Sequence, residues 1–187
     1  MKILLTGRTG QIGSILKKKL TLEYDLIAPE RRELDLLDEF SISNNVDLIE
    51  PDLIINAAAY TDVDSAELHE SIAYQTNVVA SNLLAKKAML LNIPIIHFSS
   101  DYIFDGLKNG PYLEDDLPNP LSVYGKTKLM SEEVVRQNPK HFIIRTSWVF
   151  SEHGINFVKL MLKLYQEKKL LHVVSDQWGA PTSGYLI

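Results

Sequence analysis

The chain has 187 residues, 45% apolar and 23% charged, and its 19 basic against 24 acidic side chains give a formal charge of −5. That composition suits one globular domain with a real core, or a domain plus part of a second. The absence of cysteine excludes disulfides, zinc–thiolate sites, iron–sulfur clusters and thiol nucleophiles, and the mild acidity speaks against nucleic acid or an anionic membrane as partner.

Ile3–Thr6 is a short apolar run that ends in a glycine-rich turn, which predicts a buried strand. It is too short for a secretory leader, and no segment approaches the roughly 18 apolar residues of a membrane span, so a cytoplasmic protein is expected. Gln11–Leu22 carries Ile12, Ile15, Leu16 and Leu20 on a helical period, with lysines toward its C-terminal end. Leu26–Ala28 predicts a second strand, Phe40–Ile49 a helix, and Leu53–Asn56 a third strand running into Ala57-Ala58-Ala59. One long helix is predicted over Ser71–Leu91, followed by a strand at Pro94–Phe98 that closes on Ser99-Ser100. A helix over Ser122–Arg136, a strand at His141–Arg145, a helix over Asn156–Lys168 and a sixth strand at Leu170–Val174 complete the series. Gly184–Ile187 reads as the opening of a further helix.

The predicted strands lack period-2 alternation, as strands buried on both faces do, and such strands need helical crossovers to lie parallel. The expected fold is α/β, a doubly wound parallel sheet of Rossmann type. Residues 1–150 form its dinucleotide-binding domain; residues 151–187 continue the sheet and begin a substrate-binding part that is left incomplete.

Gly7-Arg8-Thr9-Gly10-Gln11-Ile12-Gly13 places three glycines between the first strand and the first helix. Such a turn lets backbone N–H groups at a helix start face a pyrophosphate, and lets helix pack closely on strand. A turn built only for packing would look similar; its position after the first strand favours the dinucleotide. The end of the second strand should meet the adenosine ribose. There Glu30 could accept from a 2′-hydroxyl, favouring NADH, while Arg31 and Arg32 could hold a 2′-phosphate, favouring NADPH; the lean is to NADPH, with NADH open.

Tyr124 and Lys128 stand four residues apart, hence on one helix face. Eight tyrosines and the lysine content of the chain predict roughly 0.6 accidental pairs of this kind, and Tyr165 with Lys169 is a second one. Tyr124 opens a helix that follows the strand ending in Ser100, at the carboxyl edge of the sheet where ligands bind. Tyr165 sits late in its helix among Leu160, Met161 and Leu164, and is expected to be core packing. A free phenol has a pKa near 10. Lowering it by about 3 units, so that it can protonate a carbonyl oxygen, takes roughly 4 kcal/mol, within reach of a nearby ammonium and a cationic nicotinamide. Ser100 could donate to the same substrate oxygen.

Five histidines (His69, His97, His141, His153 and His172) have no ligand spacing, so no metal is expected. Asp115-Asp116 and Glu132-Glu133 are expected to be solvated faces.

The ordered set of Gly7–Gly13, Leu34-Asp35-Leu36, Asn56–Asp64, Asn77, Ser99–Gly106, Pro120–Lys128, Arg145–Trp148 and Asp176–Thr182 resembles the dTDP-4-dehydrorhamnose reductases of the extended short-chain dehydrogenase/reductase superfamily. The resemblance implies reduction of the 4-keto group of dTDP-4-dehydro-L-rhamnose to dTDP-L-rhamnose by NADPH or NADH. It implies Tyr124 as general acid, Lys128 as the residue that holds the nicotinamide ribose and lowers the tyrosine pKa, and Ser100, in place of the family's common threonine, as the group polarising the ketone. Asp35 and Leu36 would flank the adenine; Ala59, Tyr60 and Thr61 would line the cofactor cleft; Asp101 and Trp148 would touch substrate. Read without the resemblance, Trp148 is a core aromatic and Asp101 a turn residue. Family chains continue beyond the Gly179–Thr182 segment, so this chain is expected to bind a dinucleotide and reduce its sugar poorly. The oligomeric state stays open between monomer and homodimer. Two rivals remain: a non-catalytic module like the regulatory β subunit of methionine adenosyltransferase, and another extended nucleotide-sugar reductase or epimerase.

Overall fold

Short runs of β-branched and large apolar residues, each closed by a turn or helix start, become strands covered on both faces. The computed structural model describes residues 1–167 and 170–187. Its strands β1 (Lys2–Thr6), β2 (Asp25–Ile27), β3 (Leu53–Asn56), β4 (Ile95–Ser100) and β5 (His141–Thr146) form one parallel sheet in the order β2-β1-β3-β4-β5. The connections run through α1 (Gln11–Leu20), α2 (Glu39–Ile49), α3 (Val63–Leu68), α4 (Glu70–Tyr74), α5 (Ala80–Leu90) and α6 (Val123–Val135). Two-residue strands β6 (Val149–Phe150) and β7 (Thr182–Ser183) pair in parallel apart from the main sheet, and α7 (Phe157–Glu167) lies between them in sequence.

Alternate residues of each strand feed two apolar clusters. Leu4, Ile54 and Ile95 pack against Ile42 and Val46 of α2, Leu84 and Ala88 of α5 and Val135 of α6. Ile3, Leu5, Ile55 and Phe98 face the other way, against Ile12, Leu16 and Leu20 of α1. Helices on both faces of a parallel sheet make the doubly wound arrangement expected from the sequence. The strand order reverses between β1 and β3, which places a crevice at their carboxyl ends. Glycine is required there. Gly7 has φ +74°, and a Cβ on it would lie 2.5 Å from the Ala57 backbone, so the loops after β1 and β3 touch.

The long helical segment expected over Ser71–Leu91 runs unbroken from Glu70 to Leu90 through α4 and α5, widened by a π-turn at Gln75–Val79 of the kind often found at functional sites. Three expectations are corrected. Leu170–Val174 pairs with no strand among the described residues, and Leu170, Val173 and Val174 are exposed; a strand exists only where a ladder partner satisfies its backbone, so the described residues after 150 add no strand to the main sheet. Tyr165 is 80% exposed on an α7 that buries none of its residues, so it is not core packing; its partner Lys169, like the predicted helix end Lys168, lies outside the described residues. Gly184 and Tyr185 form a turn instead of starting a helix, and Ile187 packs on the α1-side cluster.

A Cβ at Gly13 would fall on the Gly7 carbonyl oxygen, well inside van der Waals contact. Gly13→Ala should therefore cost about 1–3 kcal/mol, as overpacking does. In urea unfolding the midpoint falls while the slope stays constant; an unmoved midpoint would show that α1 can slide away from β1.

Candidate functional site

A cleft of about 1250 Å³ opens along the carboxyl edge of the sheet. At one end lies the glycine loop. The first turn of α1 has no side-chain cap on Gly10, whereas α2, α3 and α6 are capped by Asp38, Asp62 and Ser122. Gly7, Gly10, Gln11 and Ile12 line the cleft, so uncapped N–H groups face an open volume. That is the arrangement a pyrophosphate needs, and the residues present fit a dinucleotide. Gly13 packs against the Gly7 carbonyl, which lets α1 approach β1. The Gln11 side chain is engaged elsewhere, donating to the Val149 carbonyl at 3.0 Å and accepting from Asn156 at 3.0 Å, which ties β6 and the following loop to the glycine turn.

Past β2, Glu30, Arg31, Asp35 and Leu36 also line the cleft. Their pairing differs from the sequence reading. Arg31 is mostly exposed and pairs with Asp35 at 3.7 Å, while Arg32 reaches Glu30 at 3.1 Å. Arg8, in the glycine loop, donates to the Ala28 carbonyl at 3.0 Å and to Glu30 at 3.1 Å. Glu30 is thus held between two guanidinium groups, one of which sequence reasoning passed over; only folding brings positions 8 and 30 together.

Ala59, Tyr60 and Thr61 line the middle of the cleft. They are held by Asn77 in the π-turn, which accepts from the Tyr60 N–H at 2.8 Å and donates to Thr127 of α6 at 2.9 Å. The π-turn thereby registers the loop after β3 against the helix that carries Tyr124 and Lys128.

The far end gathers Ser100, Asp101, Tyr124, Lys128 and Trp148. Helix α6 starts cleanly because the Ser122 hydroxyl accepts from the Gly125 N–H at 3.0 Å and Glu67 accepts from the Val123 N–H at 2.7 Å. A side chain at Gly125 would strike the Tyr102 carbonyl oxygen, so glycine lets α6 approach the turn after β4. Tyr102 then meets the Tyr124 ring edge-on, with centroids 5.5 Å apart and planes at 74°.

Burial pushes the Tyr124 phenol up to about 12; the Ser100 hydroxyl opposes this, and Asp101 and Tyr102 add to it. Lys128 lies one turn further along α6. Its ammonium, fully buried, donates to the Phe98 carbonyl at 2.6 Å, and burial lowers its pKa to about 8 while Glu132 holds it up. Ser100 donates to Asp101 at 3.1 Å, and burial raises the Asp101 carboxyl against the hydrogen bond from Ser100. Trp148 lies in the cleft and is 43% exposed, so it is no core residue. Its φ of +45° is rare for a bulky side chain, a strain characteristic of functional positions.

Glu132, expected on a solvated face, is wholly buried. It accepts from Arg145 at 2.9 and 2.8 Å and from Arg136 at 2.9 Å. Arg145 also donates to the Glu114 carbonyl at 3.0 Å and lies 5.4 Å from the centroid of the Phe104 ring, so it braces α6 against the segment between β4 and α6.

The RmlD substrate binding domain model matches residues 1–187. The chain belongs to that family. It is 46% identical over 184 residues to the dTDP-4-dehydrorhamnose reductase of Aggregatibacter actinomycetemcomitans, covering 97% of this chain and 63% of that protein. Among solved structures, the dTDP-4-dehydrorhamnose reductase of Clostridium acetobutylicum superposes with a TM-score of 0.95 at 39% identity, over 98% of this chain and 66% of that one. The Bacillus anthracis enzyme, solved in complex with NADP, gives 0.94 at 35% identity with the same coverages. This member of the RmlD family therefore spans a little under two thirds of the length of its curated relative. No helix among its described residues is long and apolar enough to cross a membrane.

Two residues that sequence reasoning did not single out, Arg8 and Tyr102, line the cleft, and a third, His97, is buried behind it 3.4 Å from Lys128 Nζ. Arg8 and Tyr102 stood inside motifs already read, but nothing in spacing reveals that Arg8 reaches β2 or that Tyr102 packs on Tyr124. His97 looked like one of five scattered histidines.

Proposed function

We propose that this chain is the dinucleotide-binding portion of a cytoplasmic reductase that converts the 4-keto group of dTDP-4-dehydro-L-rhamnose to the alcohol of dTDP-L-rhamnose, using NADPH or NADH. Residues 1–150 hold the cofactor and residues 151–187 begin the substrate-binding part. The observation that carries the reading is the convergence of Ser100, Tyr124 and Lys128 at one end of a cleft whose other end is the uncapped glycine turn. A regulatory module would need no such trio.

A bound reduced nicotinamide supplies the hydride that adds to the carbonyl carbon. Tyr124 delivers its proton to the carbonyl oxygen as the C=O π bond breaks, and Ser100 donates a hydrogen bond to the same oxygen. A phenol with a pKa near 12 keeps its proton throughout the neutral range. Its transfer depends on stabilising the phenolate as it forms, which in this reading falls to Ser100 and the Lys128 ammonium. Asp101 and Trp148 contact the sugar side. Arg8, Arg32 and Glu30 meet the adenosine ribose, with Asp35 and Leu36 flanking the base.

Calorimetric titration with NADPH and NADH tests the cofactor reading, and saturable binding of neither removes it. Arg8→Ala should weaken NADPH by about 10–100-fold, the value of a charge-assisted contact to phosphate, and NADH far less. Arg31→Ala should leave the ratio of the two affinities within about twofold, because its side chain already faces solvent. Equal losses for both cofactors in Arg8→Ala would remove the arginine from the ribose site.

A further inference from the structure

A helix face that packs on a sheet is ordinarily apolar, yet α6 meets β4 with Lys128, Ser131 and Glu132, all buried. Lys128 has its place in the proposed chemistry and Glu132 in its ion pairs. Ser131 and, across from it, His97 are fully buried and serve neither purpose. Buried polar groups are costly unless their hydrogen bonds are met, and these two surround the lysine.

The ring protons of His97 follow from both of its ends. Thr6 Oγ1 donates to Asn56 Oδ1 at 2.7 Å, which turns the Asn56 amide nitrogen toward Ser81 Oγ at 3.1 Å and His97 Nδ1 at 3.2 Å. Nδ1 is therefore an acceptor. Ser131 Oγ donates to the Lys128 backbone carbonyl at 2.6 Å, so at 2.9 Å from Nε2 its oxygen accepts, and Nε2 carries the hydrogen. Each end independently gives the neutral Nε2–H tautomer. Burial, then the Lys128 charge, holds the imidazole pKa well below its ordinary value, in keeping with a neutral ring.

Lys128 Nζ lies 3.4 Å from Nε2 and 2.6 Å from the Phe98 carbonyl oxygen. With Nε2 committed as a donor to Ser131, the ring offers the ammonium no acceptor. Among the described residues the Phe98 carbonyl is its acceptor, and an ammonium has three N–H groups, which leaves two for the cleft. We propose that His97 is a positioning residue for Lys128: Asn56 and Ser131 lock it as a neutral donor, so the inner wall cannot capture the ammonium and its free N–H groups stay available to what binds in the cleft. The groups that meet the ring are Asn56 of β3, itself held by Ser81 of α5, and Lys128 and Ser131 of α6, with Glu132 acting on Lys128 from the next turn.

The inference rests on Lys128 being a dinucleotide-holding residue, but its two decisive measurements need no cofactor. Imidazole nitrogen shifts of the unaltered chain, followed by NMR from about pH 5 to pH 8, should report the neutral Nε2–H ring throughout; an Nδ1–H ring or an imidazolium overturns the proposal. His97→Gln offers a carbonyl oxygen where the N–H stood. It should raise the Lys128 amine pKa by about one unit, read by the pH dependence of amine labelling, and weaken NADPH about tenfold. A purely structural histidine would lower the melting temperature and leave that titration in place, and an unmoved titration in folded His97→Gln overturns the proposal. Should that variant not fold, the nitrogen shifts decide alone. Failure of the wild-type chain to bind either dinucleotide would instead refute the functional reading.

Discussion

Tyr124→Phe is expected to lower the rate of 4-keto reduction by about 10²–10⁴-fold, the usual contribution of a positioned general acid, while dinucleotide affinity stays within about twofold of wild type. The substitution removes only an oxygen from a ring that is otherwise packed against Tyr102, so the cleft keeps its shape. Loss of the nicotinamide absorbance with the dTDP-4-keto sugar measures the first quantity, and titration calorimetry the second. Equal rates in the two proteins would end the acid assignment. The same substitution has a signature in stability. A phenol raised to about 12 in the folded chain, against an ordinary value near 10, binds its proton longer folded than unfolded. Its contribution is complete below about pH 10 and is lost as pH climbs toward 12. Tyr124→Phe should flatten that part of the alkaline unfolding curve.

Glu132→Ala should destabilise the fold by about 3–5 kcal/mol, the usual result of removing one partner from a buried ion pair. For a chain of this length that corresponds to a fall of roughly 10 °C in melting temperature. Arg136 is half-exposed and can be rehydrated, but Arg145, with 18% of its side chain accessible, is left largely buried without its carboxylate. The pH dependence follows from the sign of the shift. Burial works to raise the Glu132 carboxyl, but the Arg145 hydrogen bonds and charge prevail, so its pKa is lowered. A lowered carboxylate adds stability above its unfolded pKa of about 4.3 and loses it as pH falls through the folded value. The gap between wild type and Glu132→Ala should therefore narrow below about pH 4. A melting temperature unchanged at neutral pH would show that the arginines find other partners.

The parallel sheet was legible because burial on both faces leaves a local mark. Ile3–Thr6 and Leu53–Asn56 are unbroken apolar runs, and such runs admit few other roles. The glycine turn was legible for the same local reason: a tight strand-to-helix reversal needs residues without side chains. The π-turn at Gln75–Val79 was hidden, since its extra residue is stabilised by Asn77 reaching Tyr60 and Thr127, partners 17 and 50 residues away. Leu170–Val174 misled in the opposite direction. Its composition is that of a strand, but composition cannot supply a neighbour.

Chemistry separates along the same line. Residue type and order were enough to single out Ser100, Tyr124 and Lys128 as candidates, since the phenol and ammonium fall one helical turn apart on any helix. Their protonation was beyond the reach of spacing. Whether Lys128 faces the phenol or the Phe98 carbonyl, whether Glu132 is solvated or sealed between guanidinium groups, and whether His97 idles or braces the lysine all depend on what strands β3, β4 and β5 bring to α6. Short-range patterns report backbone geometry and burial, which each segment carries within itself. Electrostatic character comes from dielectric surroundings and distant charges, and those exist only once the chain has closed.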